Sequence, residues 1–341
     1  DELIVSQYGG MEPSAEGSLA LFDVETGALR VLYPDPTAVA TAATDPDAVP
    51  TTAVAGAPRA TREVRGVPVG ARWGEADCAE PSGAAFAPHG IDLRHRADGR
   101  LALYVVNHAV RESVEMFEVI DASEPRLVWR GCVAMPPQTR LNDVVVLEEG
   151  GFLATYMYPG NGEVAAMIKG RFFDRDTGYV VEWSPERGHG RVTGSDAPLP
   201  NGIEISPDER YVYVGTWLGG DGAGVRRIDR VTAEVRRIGV GPVDNLAWSD
   251  DGWLLAAVHV NGVDEIGQCA RPGSGACAMR TRIVAIDPAL EQAHVLLEQA
   301  GEPMGGITVA RQSDDRLWLG SFASDRIGVA RYRPPVAVAS R

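Results

Sequence analysis

The sequence is short of lysine, cysteine and long apolar runs, and each shortage narrows the range of functions. Lys169 is the only lysine among 341 residues, so a Schiff-base mechanism has a single candidate, and no neighbouring feature singles it out. No apolar run approaches the roughly 20 residues that a membrane-spanning helix needs. The sequence also has no GxSxG nucleophile elbow and no Cys/His zinc spacing, which argues against a serine hydrolase and against a zinc site.

Basic residues are in deficit as well. Lysine and arginine together number 32 against 47 aspartates and glutamates, which gives a formal net charge of −15. Nucleic acid is therefore not an expected partner, because phosphate binding needs a basic surface. The acidic surplus indicates either a solvated acidic surface or carboxylates gathered around a cation.

The four cysteines are compatible with two disulfides. Cys269 and Cys277 bracket a Gly/Pro-rich loop that a local bridge could close, and Cys78 and Cys132 could form a second bridge. An even number fits an oxidising compartment, with buried free thiols as the alternative. We therefore expect a periplasmic or secreted protein, and Asp1 in place of Met is consistent with removal of a leader.

One β pattern recurs along the chain, whereas helical periodicity is scarce. An apolar strand, a polar turn and a second apolar strand follow each other at 89–108, 142–158, 201–217, 244–259 and 305–322. Residues 3–10 resemble the second strand of a sixth copy. Units of roughly 57 residues, each with a hairpin and further strands, are typical of propeller blades. The sequence predicts an all-β, six-bladed β-propeller as one domain over 1–341, with a β-sandwich as the alternative.

Two segments interrupt this pattern. Residues 35–76 are rich in Ala, Thr, Pro and Asp, which predicts a long surface loop. Residues 157–175 mix glycine with apolar residues, and are expected to form either a lid over one face or a wide loop.

The residues that open the predicted hairpins share one phase of the repeat, and most of them are polar. They are His89, Asn142-Asp143, Asn201, Asp244-Asn245 and Gly305-Gly306. The innermost strands of a propeller surround a channel and run in the same sense, so their first residues form a ring at one rim. Carboxylate and amide oxygens in such a ring suit calcium, which takes 6–8 oxygen ligands. The alternative is that these residues only form turns and strand starts.

The same hairpin geometry brings three histidines to this rim. His108 ends the second strand of the hairpin that His89 opens, and the two strands are antiparallel. His259 likewise ends the second strand of the unit that begins with Asp244. The three remaining histidines, His95, His189 and His294, fall in turns or outer strands and are expected in solvent.

At these residues the sequence resembles the calcium-dependent paraoxonases, within the wider group of gluconolactonase, senescence-marker and strictosidine-synthase-like propellers. The matching segments follow the family order and cover most of the chain: PHGIDL, LYVVNH followed by SVEMFEV, LNDVVVL, PNGIEISPDERYVYV, VDNLAW and VHVNG.

The resemblance implies a six-bladed propeller with two stacked calcium ions in its channel. It points to Asn142, Asn201, Asp244 and Asn245 for the catalytic calcium, and to Asp143 and the backbone carbonyl of Ile91 for the structural calcium. It assigns His89 and His108 to a catalytic dyad and His259 to the pocket wall.

The sequence departs from the family at its start. Paraoxonases also take calcium ligands from a Glu-Asp pair on the first strand of the opening blade, and the printed sequence begins at about the following strand. The pair is therefore either outside this sequence or absent from the protein, and Glu2 is too close to the start to be an expected substitute. A disulfide between the termini, as in animal paraoxonases, is not expected either, because no cysteine lies near either end.

The expected activity is calcium-dependent hydrolysis of a lactone or aryl ester. Calcium would polarise the carbonyl, His89 would act as general base on water and His108 would assist the proton transfer. Direct activation of water by calcium is a competing mechanism. The rival functions are a metal-independent condensing enzyme of the strictosidine-synthase type and a non-catalytic binding propeller.

Aromatic residues are expected to form the pocket walls. Tyr156, Trp217 and Phe322 end second strands, like His108, and Phe172 and Phe173 lie in the 157–175 insertion. Aromatic walls favour ligands with apolar bodies, so alkyl lactones or aryl esters are expected to be better substrates than gluconolactone. The alternative is that these aromatics pack between blades.

Overall fold

The computed structural model describes residues 2–7, 17–34, 73–81, 86–121, 123–160, 162–173, 175–219, 222–260, 269 and 276–335. Most of the predicted surface loop, residues 35–72, lies outside this part of the chain. The prediction of a loop over 35–76 was wrong at its end, because Trp73–Gly74 form a short strand.

The first three sheets contain the strands from the start of the chain to residue 191. β1 (Glu2–Gln7), β2 (Ser18–Asp23) and β3 (Leu29–Tyr33) form the first sheet. The second contains β4 (Trp73–Gly74), β5 (Pro88–His95), β6 (Leu101–Asn107), β7 (Ser113–Ile120) and β8 (Arg126–Ala134), with β4 parallel to β8 at its outer edge. The third contains β9 (Leu141–Val146), β10 (Phe152–Tyr156), β11 (Tyr179–Ser184) and β12 (Gly188–Arg191).

The last three sheets follow in the same way. β13 (Pro200–Ile205), β14 (Tyr211–Thr216), β15 (Gly224–Asp229) and β16 (Val235–Gly239) form the fourth. β17 (Val243–Trp248), β18 (Leu254–His259), β19 (Thr281–Ile286) and β20 (Ala293–Gln299) form the fifth, and β21 (Ile307–Ser313), β22 (Arg316–Ser321) and β23 (Gly328–Arg331) form the sixth. The six sheets form a six-bladed β-propeller, as predicted, and the five predicted hairpins are its inner strand pairs.

The inner strands β5, β9, β13, β17 and β21 contact each other in sequence around the channel. The second strand of each of the second to fifth sheets also contacts the inner strand of the next sheet, and β1 contacts β5 in the same way. This position agrees with the prediction that β1 is a second strand. Phe22 of β2 and Trp318 of β22 close the ring between the first and last sheets, with their ring centroids 6.0 Å apart.

Large apolar side chains between adjacent sheets form the core. Between the second and third sheets, Tyr104, Phe152 and Trp183 are buried together, and the rings of Phe152 and Trp183 stack 5.7 Å apart. Similar clusters of Val, Ile and Leu fill the spaces between the following sheets. Because the inner hairpins are covered on both faces by neighbouring blades, apolar residues on both faces are buried and these hairpins read as nearly continuous apolar runs.

All five inner hairpins carry a register shift at the same place, near the start of the first strand. The shifts lie at Pro88/Ile91, Ala154/Tyr156 opposite Asn142-Asp143, Pro200/Ile203, Val243/Leu246 and Ile307/Val309. A β-bulge places two residues opposite one and changes the direction in which their side chains point. The bulged residues include His89, Asn142-Asp143, Asn201 and Asp244-Asn245, which the sequence placed at one rim.

The insertion at 157–175 contains a helix, α1 (Glu163–Phe173), where the sequence predicted a lid or a wide loop. Ala166 is buried and Met167 packs with it against Leu199 and Leu218, at the same end of the blades as Trp217. Glu163 lies in the first turn, where a negative charge interacts favourably with the helix dipole. The segment therefore rests on the rim as a packed helix.

Both predicted disulfides are present. Cys78–Cys132 and Cys269–Cys277 have Cα–Cα distances of 5.6 Å and 5.1 Å, within the usual range. Among the described residues, no helix is long and apolar enough to cross a membrane.

Candidate active site and metal centre

His89 and His108 meet at the rim of the channel. His89 lies in the bulge of β5 and His108 follows β6, and His89 Nδ1 is 2.9 Å from His108 Nε2. Desolvation, followed by the proximity of His108 and Arg140, lowers the pKa of His89 to about 3. His89 is therefore uncharged at neutral pH, so one of its ring nitrogens carries a lone pair.

Glu112 extends this pair, although no sequence pattern predicted it. Its carboxylate oxygens are 3.0 Å and 2.9 Å from His108 Nδ1, and both side chains are almost fully buried. Glu112 also accepts a hydrogen bond from the backbone N–H of Leu141 at 2.5 Å. Glu112 follows His108 by four residues, and this spacing was the only sequence feature that could have indicated their contact. Because Glu112 lies in a loop, the spacing alone does not predict contact.

The oxygens of the third sheet occupy the bulge next to His89. Asp143 Oδ1 accepts the N–H of Val144 at 2.9 Å, and Oδ2 accepts the N–H of Ile203 on the next inner strand at 3.1 Å. Asn142 donates from Nδ2 to Met157 Sδ at 3.4 Å. Both Asn142 and Asp143 are buried.

The fourth and fifth sheets supply the other predicted oxygens. Asn201 is buried, and its Oδ1 has no hydrogen-bond partner among the described residues. Asn245 donates from Nδ2 to Asp244 Oδ1 at 3.1 Å and to the Thr308 carbonyl at 3.0 Å. The remaining acceptors of Asn201, Asp244 and Asn245 are amide and carboxylate oxygens, which are the ligands that hard cations prefer.

Several carboxylates lie in the channel, where burial disfavours their charged forms. Burial raises the pKa of Asp143 to about 7, with a smaller contribution from Asp92, and burial and Asp143 raise the pKa of Asp244 to about 8. Two further carboxylates, Asp92 and Glu204, also have raised pKa values through burial. No sequence pattern predicted these two carboxylates, because they lie inside β5 and β13 and only the closed ring brings them together.

The donor set fits a hard cation rather than a transition metal. The orphaned Oδ1 of Asn201 lacks a positive partner, and burial disfavours the ionised forms of Asp143 and Asp244, a cost that a bound cation offsets. Ile91 follows the bulge of β5 directly, so its carbonyl belongs to the same rim. Within the described residues, no group of three or more His, Cys, Asp and Glu side chains is arranged to hold a metal. A metal site in this channel would therefore need asparagine and backbone oxygens as ligands.

His259 lies on the same rim and is held in one tautomer. Trp217 Nε1 donates to His259 Nδ1 at 2.9 Å, so the His259 proton is on Nε2, which is 3.2 Å from the Ile307 carbonyl and 3.5 Å from Asp244 Oδ2. Burial lowers the pKa of His259 to about 4. The imidazole is therefore neutral and forms a fixed wall beside Asp244.

The predicted aromatic residues are in different surroundings. Phe322 is 43% exposed and its ring centroid is 6.5 Å from that of His259, so Phe322 and Trp217 border this side of the rim. Tyr156 packs 4.9 Å from Tyr179 and lines a cavity of about 370 Å³ that also includes Pro136 and His189.

The remaining aromatic and histidine predictions concern Phe172, Phe173, His95, His189 and His294. His95 and His189 are exposed, as expected. Phe173 ends α1 and is 66% exposed, whereas the side chain of Phe172 lies outside the described residues. The expectation that His294 is in solvent was wrong, because its ring packs edge-on against Trp253 at 5.5 Å.

The fold and the rim define a β-propeller with a hydrogen-bonded His–His pair beside an oxygen-rich channel. The family model described as Arylesterase matches residues 78–324, and the chain belongs to the arylesterase family.

Curated relatives agree with this placement, and a solved structure agrees with the fold. Rabbit (Oryctolagus cuniculus) serum paraoxonase/lactonase 3 is 26% identical over 242 residues, covering 70% of this chain and 67% of the relative. Human (Homo sapiens) serum paraoxonase/lactonase 3 is 31% identical over 130 residues, covering 38% of this chain and 36% of the relative. A structure of a nidogen/laminin complex has a TM-score of 0.51 at 10% identity, covering 97% of this chain and 89% of the other, which shows a likeness of fold.

Proposed function

We propose that the protein is a calcium-dependent hydrolase of lactones or aryl esters. The observation that carries this proposal is the set of in-phase bulges. These bulges hold Asn142, Asn201, Asp244 and Asn245 at the same phase of neighbouring inner strands, which supports a shared metal site beside the hydrogen-bonded pair of His89 and His108. Membership of the arylesterase family and the names of the paraoxonase/lactonase relatives support the same class of reaction.

The proposed site holds two calcium ions. Asn142, Asn201, Asp244 and Asn245 would hold the catalytic ion, and Asp143 and the backbone carbonyl of Ile91 would hold the structural ion. When bound, calcium supplies the positive charge that polarises the substrate carbonyl and stabilises the oxyanion.

The protein's own residues move the proton. His89 removes a proton from the attacking water, and His108 accepts a proton from His89 through their 2.9 Å contact. The water oxygen bonds to the carbonyl carbon, the carbon–oxygen bond to the leaving alkoxide breaks, and the proton returns through His89 to that alkoxide. His259, fixed by Trp217, forms one wall and excludes water there.

The proposed substrates have apolar bodies. Trp217 and Phe322 border the His259 side of the rim, and α1 packs on Leu218 next to Trp217. These surfaces fit an alkyl or aryl group better than a polyhydroxylated sugar. The two disulfides fit an oxidising compartment, so we place the protein outside the cytoplasm.

His89→Gln and Asn201→Ala test the proposal together. His89→Gln should lower kcat by roughly 10²–10⁴-fold, the usual contribution of general acid–base catalysis, and leave calcium affinity unchanged. Asn201→Ala should weaken calcium binding first, and added calcium should restore much of its turnover. The assays are kcat/KM on an alkyl lactone, an aryl ester and gluconolactone, with calcium binding by calorimetry.

Two outcomes of these experiments would contradict the proposed function. Equal loss of calcium affinity in both variants would show that His89 is a ligand or a structural residue. A preference for gluconolactone would contradict the apolar walls.

A further inference from the structure

The contacts of Glu112 determine which nitrogens of the histidine pair carry protons. An ionised carboxylate accepts hydrogen bonds and cannot donate them. Since both Glu112 oxygens lie within 3.0 Å of His108 Nδ1, that nitrogen must carry the proton. In neutral His108, Nε2 is then an acceptor, so the proton shared across the 2.9 Å contact belongs to His89 Nδ1. Nε2 of His89 is left with the lone pair.

We propose that Glu112 is a positioning residue that sets the direction of the His89–His108 relay and stabilises the charge that the relay produces. This inference rests on the function proposed above. When His89 Nε2 takes a proton from water, the Nδ1 proton of His89 passes to His108 Nε2. His108 becomes an imidazolium, and Glu112 is the anion in contact with it. His89 remains neutral throughout, and the positive charge is moved away from the cation site.

Glu112 is itself fixed, as this role requires. Oε1 accepts the Leu141 N–H at 2.5 Å, and Arg140 Nη1 lies 3.4 Å from Oε2. The Glu112 carbonyl accepts the N–H of Met135 at 2.9 Å, which holds the loop before β7. Leu141 precedes Asn142 on β9, so one carboxylate joins the histidine pair to the strand that carries the first ring oxygens. The side chain of Glu112 is only 8% exposed, so water does not compete well for these contacts.

The Glu112→Gln variant should reverse the positions of the protons on His89 and His108. The Leu141 N–H holds the amide oxygen at the Oε1 position, so the NH₂ takes the Oε2 position. It then lies 2.9 Å from His108 Nδ1 and donates to that nitrogen. His108 Nε2 then carries the proton and donates to His89 Nδ1, which moves the His89 proton to Nε2 and removes the lone pair from the water side. Loss of a correctly oriented tautomer is known to be costly in histidine-dependent hydrolases, at about 10⁴-fold in the Ser-His-Asp case.

The test combines nitrogen NMR of labelled histidine with kinetics on the calcium-loaded protein. In the wild type, His108 should be protonated on Nδ1 and His89 on Nδ1, and Glu112→Gln should change both tautomers. With a lactone or aryl ester, Glu112→Gln should lower kcat by about 10²-fold or more, with KM and calcium affinity little changed. Glu112→Asp retains a carboxylate and should recover part of the loss in kcat.

Glu115→Gln is the matched control. Glu115 is a fully buried carboxylate on β7 that contacts Ser113, Arg111 and Trp129 and neither histidine. It should change the melting temperature without changing the histidine tautomers. Unchanged tautomers in Glu112→Gln, or a loss of kcat in Glu112→Gln that is matched by Glu115→Gln, would overturn the inference. If the wild type hydrolyses no ester, the proposed function fails, whereas the NMR comparison still decides whether Glu112 sets the tautomers.

Discussion

Individual glycines allow the inner strands to approach closely enough to form the ring. A Cβ on Gly202 would lie 2.5 Å from the Asp244 carbonyl oxygen and 2.6 Å from Asn245 Cα, and a Cβ on Gly90 would lie 2.5 Å from the Asn142 carbonyl oxygen. These atoms belong to the backbone of the neighbouring bulge, which cannot rotate away. The glycine after His89 and the glycine after Asn201 therefore set the spacing of the proposed metal ligands.

Gly202→Ala should separate β13 from β17 and weaken the metal site. We expect a loss of stability of about 1–3 kcal/mol, typical of overpacking, and a larger proportional loss of calcium affinity. Gly190→Ala on β12 is the control, because its Cβ would come no closer than 3.7 Å to a neighbouring atom and the change acts equally on the unfolded chain. Urea unfolding and calcium titration measure both effects. Equal behaviour of the two variants would show that the close approach has no role in the site.

The repeat in the sequence indicates where a residue lies in a blade, whereas residues that only tertiary contact brings together have no such signal. The phase of the repeat predicted that His89, Asn201 and Asp244 face one rim. Glu112 was missed because it lies in the loop between β6 and β7, outside the repeated positions. The bulges were also missed, because a register shift depends on how two strands pair and has no signature in one strand alone.

Single strands and turns are held by local carboxylate networks outside the channel. Asp229 closes the turn from β15 to β16: Oδ1 accepts the N–H groups of Val231 and Thr232 at 2.8 and 3.1 Å, and Oδ2 accepts Arg210 Nη2 at 2.8 Å. The hydrogen bond with Arg210, above all, lowers the pKa of Asp229 to about 2 from a usual value of 3.8. The ionised form therefore stabilises the folded state.

Asp229→Asn should cost stability in a pH-dependent way. Because the folded pKa lies below the unfolded value, the stabilisation is complete above about pH 4 and is lost as the pH falls through about 2. The melting temperature of the variant should be a few degrees below that of the wild type at neutral pH, and the difference should shrink toward pH 2. Asp315→Asn, at an exposed carboxylate, should show little difference at any pH. A pH-independent difference for Asp229→Asn would contradict a role for its charge.

At the element scale, strands were more predictable than the helix. The hairpins have long apolar strands and polar turns, and all five occur where the pattern placed them. Helix α1 was not predicted because Gly162 and Gly170 lie next to or within it, and glycine weakens helix propensity. Its packing against Leu199 and Leu218 supplies the stability that the local sequence does not.

The whole molecule is a closed ring that brings buried acidic groups from different blades into one channel. Asp143 and Asp244 come from different sheets, and each has a raised pKa because burial and neighbouring carboxylates disfavour its charged form. The chain as a whole also carries a formal net charge of −15. A cation at the rim would offset repulsion that the fold itself creates, so metal binding and the propeller architecture are coupled in this account.

Hydrolysis by metal-stripped protein tests the central claim most directly. The protein is treated with a chelator, metal removal is verified, and turnover of an alkyl lactone and an aryl ester is followed as calcium is added back. Turnover should be abolished when the metal is removed and should return in a saturable way with added calcium. Hydrolysis that persists after verified metal removal would contradict the account and favour a metal-independent propeller enzyme, and calcium binding without hydrolysis of either substrate would favour a non-catalytic binding propeller.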